Sequence, residues 1–457
     1  MTSVLRPIVQ CLGLLQYPWL SEHRGRILRV MNHADLVIRA GRVEGIAHLV
    51  DVAMRAGVIS AVEQRWNGIA DREIDAGGLL ISPAFVEPHI HLDKAFLWSE
   101  LPPSASGTLA ESIALMGGYK SRLTADDVAD RAERAILMAV VNGTTLIRSH
   151  VDIDPGIELL ALDGVVEARR RTVDIADVQI VAFPQEGIMR SPGTESLMRA
   201  AMERGANVVG GIPHWERTPE AARAHIDICF AIARDTNADV DMHVDETDDP
   251  DSRTLEMLAR ATIANNWQGR VVAGHCCALA AYDDVYARAV IELVREACIT
   301  VVFNPEINLL LQGRSDHEPK RRGITRVKEL LDAGVNVTFG QDDVQDGFSP
   351  FGKCDPLEVG LVAALSAQMT SAGEIETVFD MPRRRAASAL GHHNWTVAVG
   401  SPANLVIFDA VSAQAAIATQ PPRRFVIACG RVIVESTPSI ATMNRHVPAS
   451  GQDLASN

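Results

Sequence analysis

The sequence is short of basic residues and of long apolar runs. It carries 43 Lys and Arg residues against 58 Asp and Glu residues, which gives a net charge of −15, and only 5% of its residues are aromatic. A nucleic acid or an anionic membrane surface would require a basic patch. No apolar stretch approaches the roughly 18 residues of a membrane-spanning helix. We therefore expect neither a nucleic-acid partner nor a membrane partner.

The sequence also lacks a C-x-x-C pair, and its first residues do not show the pattern of a secretory leader. The apolar patch at residues 8–15 lies between Pro7 and Pro18, and no small-residue cleavage site follows it, so a signal peptide is not expected. An odd number of cysteines without a small secreted framework indicates reduced thiols in a cytoplasmic enzyme. The seven cysteines are at positions 11, 229, 276, 277, 298, 354 and 429.

The central part of the chain alternates apolar, β-branched runs with helix-like amphipathic stretches. A repeat of about 30 residues, strand then helix, is the βα unit, and eight such units close a parallel barrel of the TIM type. One run precedes His89, and seven more follow it. These seven are TTLIRSH, VQIVAFPQ, NVVGGIPHW, DVDMHVDE, RVVAGHCC, TVVFNPE and NVTFGQDD.

Almost every one of these runs ends in a chemically capable side chain. A doubly wound open sheet would show the same alternation, but a barrel brings all strand C-termini to one mouth, where the sites of this fold lie. The polar endings therefore favour an α/β fold of the (β/α)8 class. They are His89, His91, His150, Gln185, His214, His243, His275, Asn304 and Asp342.

Short β-type runs flank this central part on both sides. Residues 34–82 and 396–443 predict the two parts of one small β-sandwich, while residues 83–395 form the barrel. The segment between the first two barrel strands exceeds one βα unit, so we expect a long first loop that helps to cover the site. Residues 1–33 form an N-terminal extension, and residues 444–457 are expected to be a disordered tail.

The pair His89-x-His91 is the first indication of a metal site. Alternate residues of an extended segment face the same way, so two neutral imidazoles can hold one divalent ion such as zinc or ferrous iron. Alone, such a pair is more often one core histidine and one exposed histidine. His243 could add a third imidazole from another strand end. The case for a metal therefore depends on the strand ends meeting.

Acidic residues follow two of the strands. Glu246, three residues beyond His243, could transfer protons without being a ligand. Its alternative role is a helix-capping acid, which suits Asp248 better. Asp342 and Asp343 follow buried-strand sequence, and adjacent strand residues face opposite sides, so one could reach a metal while the other meets substrate. A solvated loop pair is the alternative for these two residues.

Taken together, the motifs resemble the cytosine deaminase group of the amidohydrolase superfamily. The similar segments, within residues 78–395, include PHIHLDK, VAFPQEGI, GGIPHWE, DMHVDETDD, NPEINLLLQ and FGQDDVQDGFSPFG. The resemblance implies one Zn²⁺ or Fe²⁺ ion with His89, His91, His243 and Asp342 as ligands. It implies Glu246, His275 and Asp342 as catalytic residues, with Glu246 as proton shuttle and His275 acting on the hydrolytic water. It further implies Gln185 and Asp343 as substrate-binding residues.

Several positions depart from the patterns of related enzymes. The fourth strand, NVVGGIPHWE, has no lysine that could bridge two metals, and we assign His214 in it a structural or supporting role. Gln341 stands where a histidine is common. Phe348 stands where related enzymes place a tryptophan over the substrate ring. The smaller phenylalanine leaves more room for the substrate, and we expect it to set the upper limit on the size of the ring. Lys94 either touches substrate or is a surface ion.

We expect a hydrolytic deaminase that releases ammonia from an amino-substituted nitrogen heterocycle. Its partner would be a small-molecule substrate. The sequence does not decide whether the chain forms a homo-oligomer. An alternative is an amidohydrolase that removes an N-alkylamine from a triazine ring, of the isopropylammelide type. A non-catalytic metal-binding module is the alternative from another class, and Glu246 argues against it, because metal binding alone needs no proton shuttle.

Overall fold

The computed structural model describes residues 33–437 of the chain. The N-terminal extension predicted at residues 1–33 lies outside the described residues except for His33, and the tail predicted at 444–457 lies wholly outside them. Two eight-stranded sheets organise the fold, one central and one built from the two flanks. Between residues 33 and 437, no helix combines the length and the apolar character that crossing a bilayer requires.

The central sheet is a closed parallel barrel, which confirms the predicted fold class. Its strands pair in sequence order, each parallel to the next. A parallel bridge between Ile90 and Asp342 joins the last strand end to the first strand. The eight strands are β6 (Phe85–Ile90), β7 (Thr144–Asp152), β8 (Asp177–Phe183), β9 (Val208–Gly211), β10 (Asp239–Val244), β11 (Val271–His275), β12 (Thr300–Phe303) and β13 (Val337–Phe339).

The second sheet combines strands of both flanks, as predicted. Its strand pairing is mixed, with parallel and antiparallel neighbours. β5 pairs antiparallel with β14 and so joins the N-terminal flank to the C-terminal one. One edge of the long strand β1 holds β4 along its first part and β5 along its last, both parallel. The N-terminal flank therefore contains both antiparallel and parallel strand pairs. The strands are β1 (His33–Val43), β2 (Val50–Arg55), β3 (Val58–Glu63), β4 (Ile69–Asp75), β5 (Leu80–Pro83), β14 (Leu405–Phe408), β15 (Arg423–Ala428) and β16 (Arg431–Glu435).

Thirteen α-helices lie within the described residues, and most of them follow barrel strands and cover the barrel. They are α1 (Leu109–Tyr119), α2 (Ala125–Val141), α3 (Leu160–Arg171), α4 (Thr194–Arg204), α5 (Pro219–Thr236), α6 (Thr254–Ala264), α7 (Asp284–Glu296), α8 (Pro305–Leu311), α9 (Val327–Asp332), α10 (Pro356–Ser366), α11 (Ala372–Asp380), α12 (Ala386–Ala389) and α13 (Ala413–Thr419).

Local sequence accounts for where these helices begin and which face they bury. The hydroxyl of Thr218 accepts the backbone N–H of Ala221, and Pro219 begins α5, where its missing N–H costs nothing. In α7, the buried side chains recur every three to four residues, which is the spacing of one helical face against the barrel. They are Ala287, Val290, Ile291 and Val294.

The long connection after the first barrel strand reaches the barrel mouth, as expected. It contains α1 and α2 between β6 and β7. The side chain of Leu109, the first residue of α1, lines the cavity that the strand ends surround. The barrel core below consists of Val, Ile, Leu, Ala and Phe side chains that are almost fully buried. The polar residues of the mouth therefore rest on a tightly packed apolar base.

Candidate functional site

Strand ends bring the predicted side chains to one point in the barrel mouth. His89 lies in β6, His243 is the penultimate residue of β10, and His275 is the last residue of β11. His91 lies just beyond β6, and Asp342 lies three residues beyond β13. All five side chains are buried. Parallel strands in a barrel end on the same side, which is why distant sequence positions meet here.

The imidazole nitrogens converge on the carboxylate of Asp342. Its Oδ1 lies 3.4 Å from Nε2 of His89 and 3.3 Å from Nε2 of His91. Nε2 of His91 lies 3.1 Å from Nε2 of His243. Nε2 of His275 lies 3.8 Å from Asp342 Oδ2. Ligand atoms of His89, His243, His275 and Asp342 all lie within 4.8 Å of one another, so this cluster is consistent with one divalent metal ion.

The protonation and the unmet hydrogen bonds of the cluster suit a metal. Burial lowers the pKa of His91 to about 4 and lowers those of His243 and His275 well below the usual value. Neutral imidazoles are the form that coordinates. Among residues 33–437, neither ring nitrogen of His89 has a hydrogen-bond partner, nor do Nδ1 of His91 and Nδ1 of His243. Such atoms are costly to bury unpaired, and a metal bond at Nε2 of His89, which faces Asp342, would satisfy that atom. The residues present therefore fit a divalent metal ion.

Two glycines and a buried glutamate surround His89. A Cβ at Gly274 would come within 2.9 Å of the His89 ring, and a Cβ at Gly340 would lie 2.7 Å from the His89 carbonyl oxygen. Only glycine therefore fits beside this histidine. The carboxyl of Glu87 accepts the backbone N–H groups of His89 at 2.9 Å and of Gln341 at 3.2 Å. Burial raises the pKa of Glu87 to about 8.

Glu246 lies beside the cluster and approaches its member His275. Oε1 of Glu246 lies 3.4 Å from Nδ1 of His275. Burial, and then the negative charge of Asp342, raise the pKa of Glu246 well above its usual value. Nδ2 of Asn308 lies 3.0 Å from His275 Nδ1, and Nδ2 of Asn304 donates to Asp342 Oδ2 at 3.1 Å. The two asparagines therefore hold the ring of His275 and the carboxylate of Asp342 in position.

The strand alternation expected at Asp342 and Asp343 does not apply, and both side chains line the same cavity. β13 ends at Phe339, and Asp342 has a φ of 67°, in the left-handed region. The chain has therefore left the extended conformation before it reaches these residues. His275 has a φ of 66°. Left-handed non-glycine residues carry a backbone cost and are concentrated at functional sites.

The predicted substrate residues lie around one cavity at the mouth of the barrel. Burial and the neighbouring carboxyl of Asp346 raise the pKa of Asp343. The cavity is therefore bounded on one side by the histidine cluster and on the other by groups that can bind an organic molecule. Its lining is His91, Lys94, Leu109, Gln185, His243, Glu246, His275, Asp342, Asp343 and Phe348.

The structure decides between the two alternatives for Lys94 and locates His214. Lys94 is 2% exposed and lines the cavity, so it is not a surface ion. His214 is half-buried, and its Nδ1 lies 3.3 Å from the backbone carbonyl oxygen of His243. It contacts the strand end that carries His243 rather than the cavity, which suits the supporting role assigned to it.

Sequence reasoning missed several contributors to the site. Asn304 was named as a polar strand end, but Asn308 was missed. The two stand one helical turn apart in NPEIN, and that i,i+4 spacing is a signal that one face carries both amides. The ring of Phe183 stacks on His243 at 4.1 Å between ring centroids. Glu87 stands two residues before His89 and so on the same strand face. For Phe183, only the fold reveals the contact.

A closed parallel barrel whose mouth gathers histidines and an aspartate beside a buried glutamate defines a class of hydrolases that act with a divalent metal ion. The sequence model of the amidohydrolase family matches residues 72–438 of this chain. The chain belongs to the amidohydrolase family. This confirms the family resemblance read from the motifs.

Individual relatives agree with this assignment. The chain is 28% identical over 412 residues to N-isopropylammelide isopropyl amidohydrolase of Pseudomonas sp. strain ADP, covering 89% of this chain and 99% of the relative. It is 31% identical over 403 residues to pterin deaminase of Rhizobium rhizogenes, covering 87% and 91% respectively. A solved structure of 5-methylcytosine deaminase from Klebsiella pneumoniae with 5-fluorocytosine superposes with a TM-score of 0.85 at 35% identity, covering 89% and 99%.

Proposed function

We propose that this protein is a metal-dependent hydrolytic deaminase of an amino-substituted nitrogen heterocycle. Water adds to the ring carbon that bears the amine, the C–N bond breaks, and ammonia leaves as the carbon becomes a carbonyl. The observation that carries the proposal is the single cavity shared by the histidine cluster, Glu246 and the polar pair Gln185 and Asp343. A non-catalytic metal module would not need a buried acid facing the same space.

The metal ligands proposed are His89, His91, His243 and Asp342. When bound, a divalent ion supplies Lewis acidity and lowers the pKa of water. The cluster also admits His275 as a ligand in place of His91, because both rings reach Asp342. We keep His91 in the ligand set because its Nε2 lies 3.3 Å from Asp342 Oδ1 and 3.1 Å from His243 Nε2.

Glu246 is proposed to move the proton. Its raised pKa favours the protonated form, so it can donate to the ring nitrogen next to the amine-bearing carbon. After that donation, its carboxylate can accept one proton from the attacking water and give it to the leaving nitrogen. It then regains its own proton from the new hydroxyl group as the carbon becomes a carbonyl. His275, 3.4 Å away and held by Asn308, is proposed to orient that water. Burial of all three side chains excludes bulk water from the transfer.

The remaining cavity residues are proposed to bind the ring. Gln185 and Asp343 offer hydrogen bonds to its edge, and Phe348 limits the size of the ring that can enter. We propose small free bases as the substrates. The similarity to pterin deaminase, together with the structural similarity to a cytosine-type deaminase, supports an amino-heterocycle as substrate. A second candidate, release of an alkylamine from a triazine, is favoured by the similarity to the isopropylammelide hydrolase.

An ammonia-release screen tests the proposal. Protein reconstituted with Zn²⁺ or Fe²⁺ would be offered cytosine, isocytosine, isoguanine, creatinine, pterins, aminotriazines and N-isopropylammelide. Ammonia release, absent in the Glu246→Gln variant, supports the deaminase. Isopropylamine release from the triazine alone supports the second candidate. If a metal-loaded, folded protein turns over no member of the panel, the proposal is wrong and the metal-binding module is the better reading.

A further inference from the structure

Lys94 occupies an unusual position for an ammonium group. It lies three residues beyond His91, is 2% exposed, and lines the same cavity as Glu246 and the cluster. Its Nζ lies 5.2 Å from the ring centroid of Phe348 and 5.6 Å from that of Phe183. A buried lysine is costly unless its charge is compensated. Burial lowers the pKa of Lys94, but the negative charges of Asp152, Asp93 and Asp343 raise it above its usual value, so Lys94 is a charged donor inside the cavity.

The hydrogen bond from Lys94 fixes what Gln185 can offer. Nζ of Lys94 donates to Oε1 of Gln185 at 2.8 Å. An amide side chain has one acceptor oxygen and one NH₂ donor group. Because the oxygen is turned to the ammonium, the NH₂ group is left for the cavity. Gln185 therefore acts toward the ring as a hydrogen-bond donor.

The carboxylate that contacts Lys94, that of Asp152, also contacts a second lysine. Asp152 Oδ1 lies 2.9 Å from Nζ of Lys94, while Asp152 Oδ2 lies 3.3 Å from Nζ of Lys120. Lys120 also contacts Asp154 and Glu186. Within residues 33–437, Asp152 supplies the one carboxylate recorded within 4.0 Å of Lys94. Of the three N–H groups of the ammonium, at least one is left without an acceptor among these contacts.

We infer that Lys94 determines the substrate class: it selects rings that carry a carbonyl or anionic oxygen, held between the Lys94 ammonium and the Gln185 NH₂ group. Both groups are hydrogen-bond donors, so this end of the cavity can bind an acceptor atom of the ring. A ring C–H or N–H at the same place could accept neither hydrogen bond. The inference rests on the proposed function, because it names the substrate class of the same site. Cyclic amides, in which an oxo group stands beside a ring nitrogen, meet the requirement.

Matched ring pairs test this inference through binding, without turnover. The pairs are 2-oxopyrimidine and pyrimidine, 2-oxopurine and purine, and 4-oxopteridine and pteridine, each member lacking the amine. Calorimetry on the metal-loaded protein would give both dissociation constants of a pair. The amino-bearing counterparts, cytosine with 4-aminopyrimidine and isoguanine with adenine, would be compared in parallel for ammonia release.

Three variants separate recognition from stability. Lys94→Met removes the ammonium, and Asp152 keeps its contact with Lys120. Lys94→Gln retains a neutral donor. Lys120→Met is the matched control, because Lys120 is also a buried lysine on Asp152 but does not line the cavity. The melting temperature of each variant reports whether it is folded.

The wild-type protein should bind the oxo member of at least one pair more than about 10-fold tighter. Lys94→Met should weaken the binding of the oxo member by about 10- to 100-fold, as expected for a lost buried hydrogen bond to a charged group. The dissociation constant of the deoxo member should not change. Lys94→Gln should recover part of the preference, and Lys120→Met should keep it. Equal weakening of both members in Lys94→Met would make the lysine structural and overturn the inference.

The outcomes also separate this inference from the proposed deaminase. No preference for the oxo member in the wild-type protein, or no binding of any ring, overturns the inference even if ammonia is released from other compounds. An oxo preference that depends on Lys94, without ammonia release from any amino ring, supports the inference and contradicts the deaminase. If Lys94→Met does not fold, Lys94→Gln and the wild-type pairs decide the matter.

Discussion

The backbone N–H of Asp342 donates to the carbonyl oxygen of His89 at 2.8 Å, and the N–H of His91 donates to the carbonyl oxygen of Asp342 at 3.0 Å. These bonds join the last strand end of the barrel to the first. The same three residues bring their side chains to the buried cluster. Closure of the barrel and assembly of the site therefore use the same residues, and the stability of one is linked to the other.

Metal content should depend on the cluster, because its ligands come from separate strands. We predict that His89→Ala, His243→Ala and Asp342→Ala each reduce bound metal from about one ion per chain and abolish activity. Elemental analysis of purified protein measures the ratio. His393→Ala, at an exposed histidine outside the site, is the control and should keep its metal. Two tightly bound ions per wild-type chain would contradict the mononuclear site.

Removal of the metal should destabilise the fold, since an ion that binds only the folded state stabilises it by mass action. Chelation is predicted to lower the melting temperature of the wild-type protein by several degrees. It should change that of Asp342→Ala much less, because this variant has already lost the ion. Calorimetry with and without chelator gives both values. An equal shift in the two proteins would mean that chelation acts elsewhere.

Glu246→Gln should keep the metal and lose turnover. The amide preserves the shape of the side chain but cannot accept and return a proton, and general acid–base assistance is worth about 10² to 10⁴-fold. The measurements are kcat on the best substrate and metal content. Asp248→Asn, in the same loop but outside the cavity lining, is the matched control. Loss of the metal together with activity would instead identify Glu246 as a ligand.

Asp343→Ala should change the preference among rings. Asp343 lines the cavity, and burial raises the pKa of its carboxyl. The carboxyl group can therefore form a hydrogen bond with the edge of the substrate ring. Losing such a bond costs about 1–3 kcal/mol when the partner is left unpaired. The ratio of kcat/KM between two substrates measures the effect, and Asp343→Asn should restore part of it. Equal losses on every substrate would show that Asp343 is structural.

Glu306→Gln should stabilise the protein more at high pH than at low pH. Burial raises the pKa of Glu306 to about 7 from 4.5, so the folded state holds a proton that the unfolded chain has released. The stability contributed by that proton is complete below about pH 4.5 and is lost as the pH rises through about 7. The glutamine is uncharged throughout.

The gain of Glu306→Gln over wild type should therefore grow by about 1–3 kcal/mol between about pH 5 and pH 8. Nε2 of Gln341 donates to Oε2 of Glu306 at 2.7 Å, and the oxygen of the glutamine can accept the same bond. Denaturant unfolding at the two pH values measures the difference. Glu376→Gln, at an exposed position, serves as control. A gain independent of pH would mean that Glu306 is ionised in the folded protein.

Sequence alone determined the barrel and most of the residues at its mouth. The alternation of apolar runs and amphipathic stretches has a period of about 30 residues, and a run that ends in histidine or aspartate signals a strand end at the mouth. These signals are local, because strand burial and helix amphipathicity depend on neighbouring residues. His89, His243, His275 and Asp342 could therefore be named, and the structure brings them together.

Tertiary structure decided what no local pattern encodes. Lys94 could have been a surface ion, and only the fold buries it against Gln185 and Asp152. Asp342 was expected on a strand, and its left-handed φ turns it and Asp343 toward one cavity. Contacts of this kind join residues far apart in the chain. They depend on how eight strands close and on where the chain leaves the last of them, which side-chain periodicity does not specify.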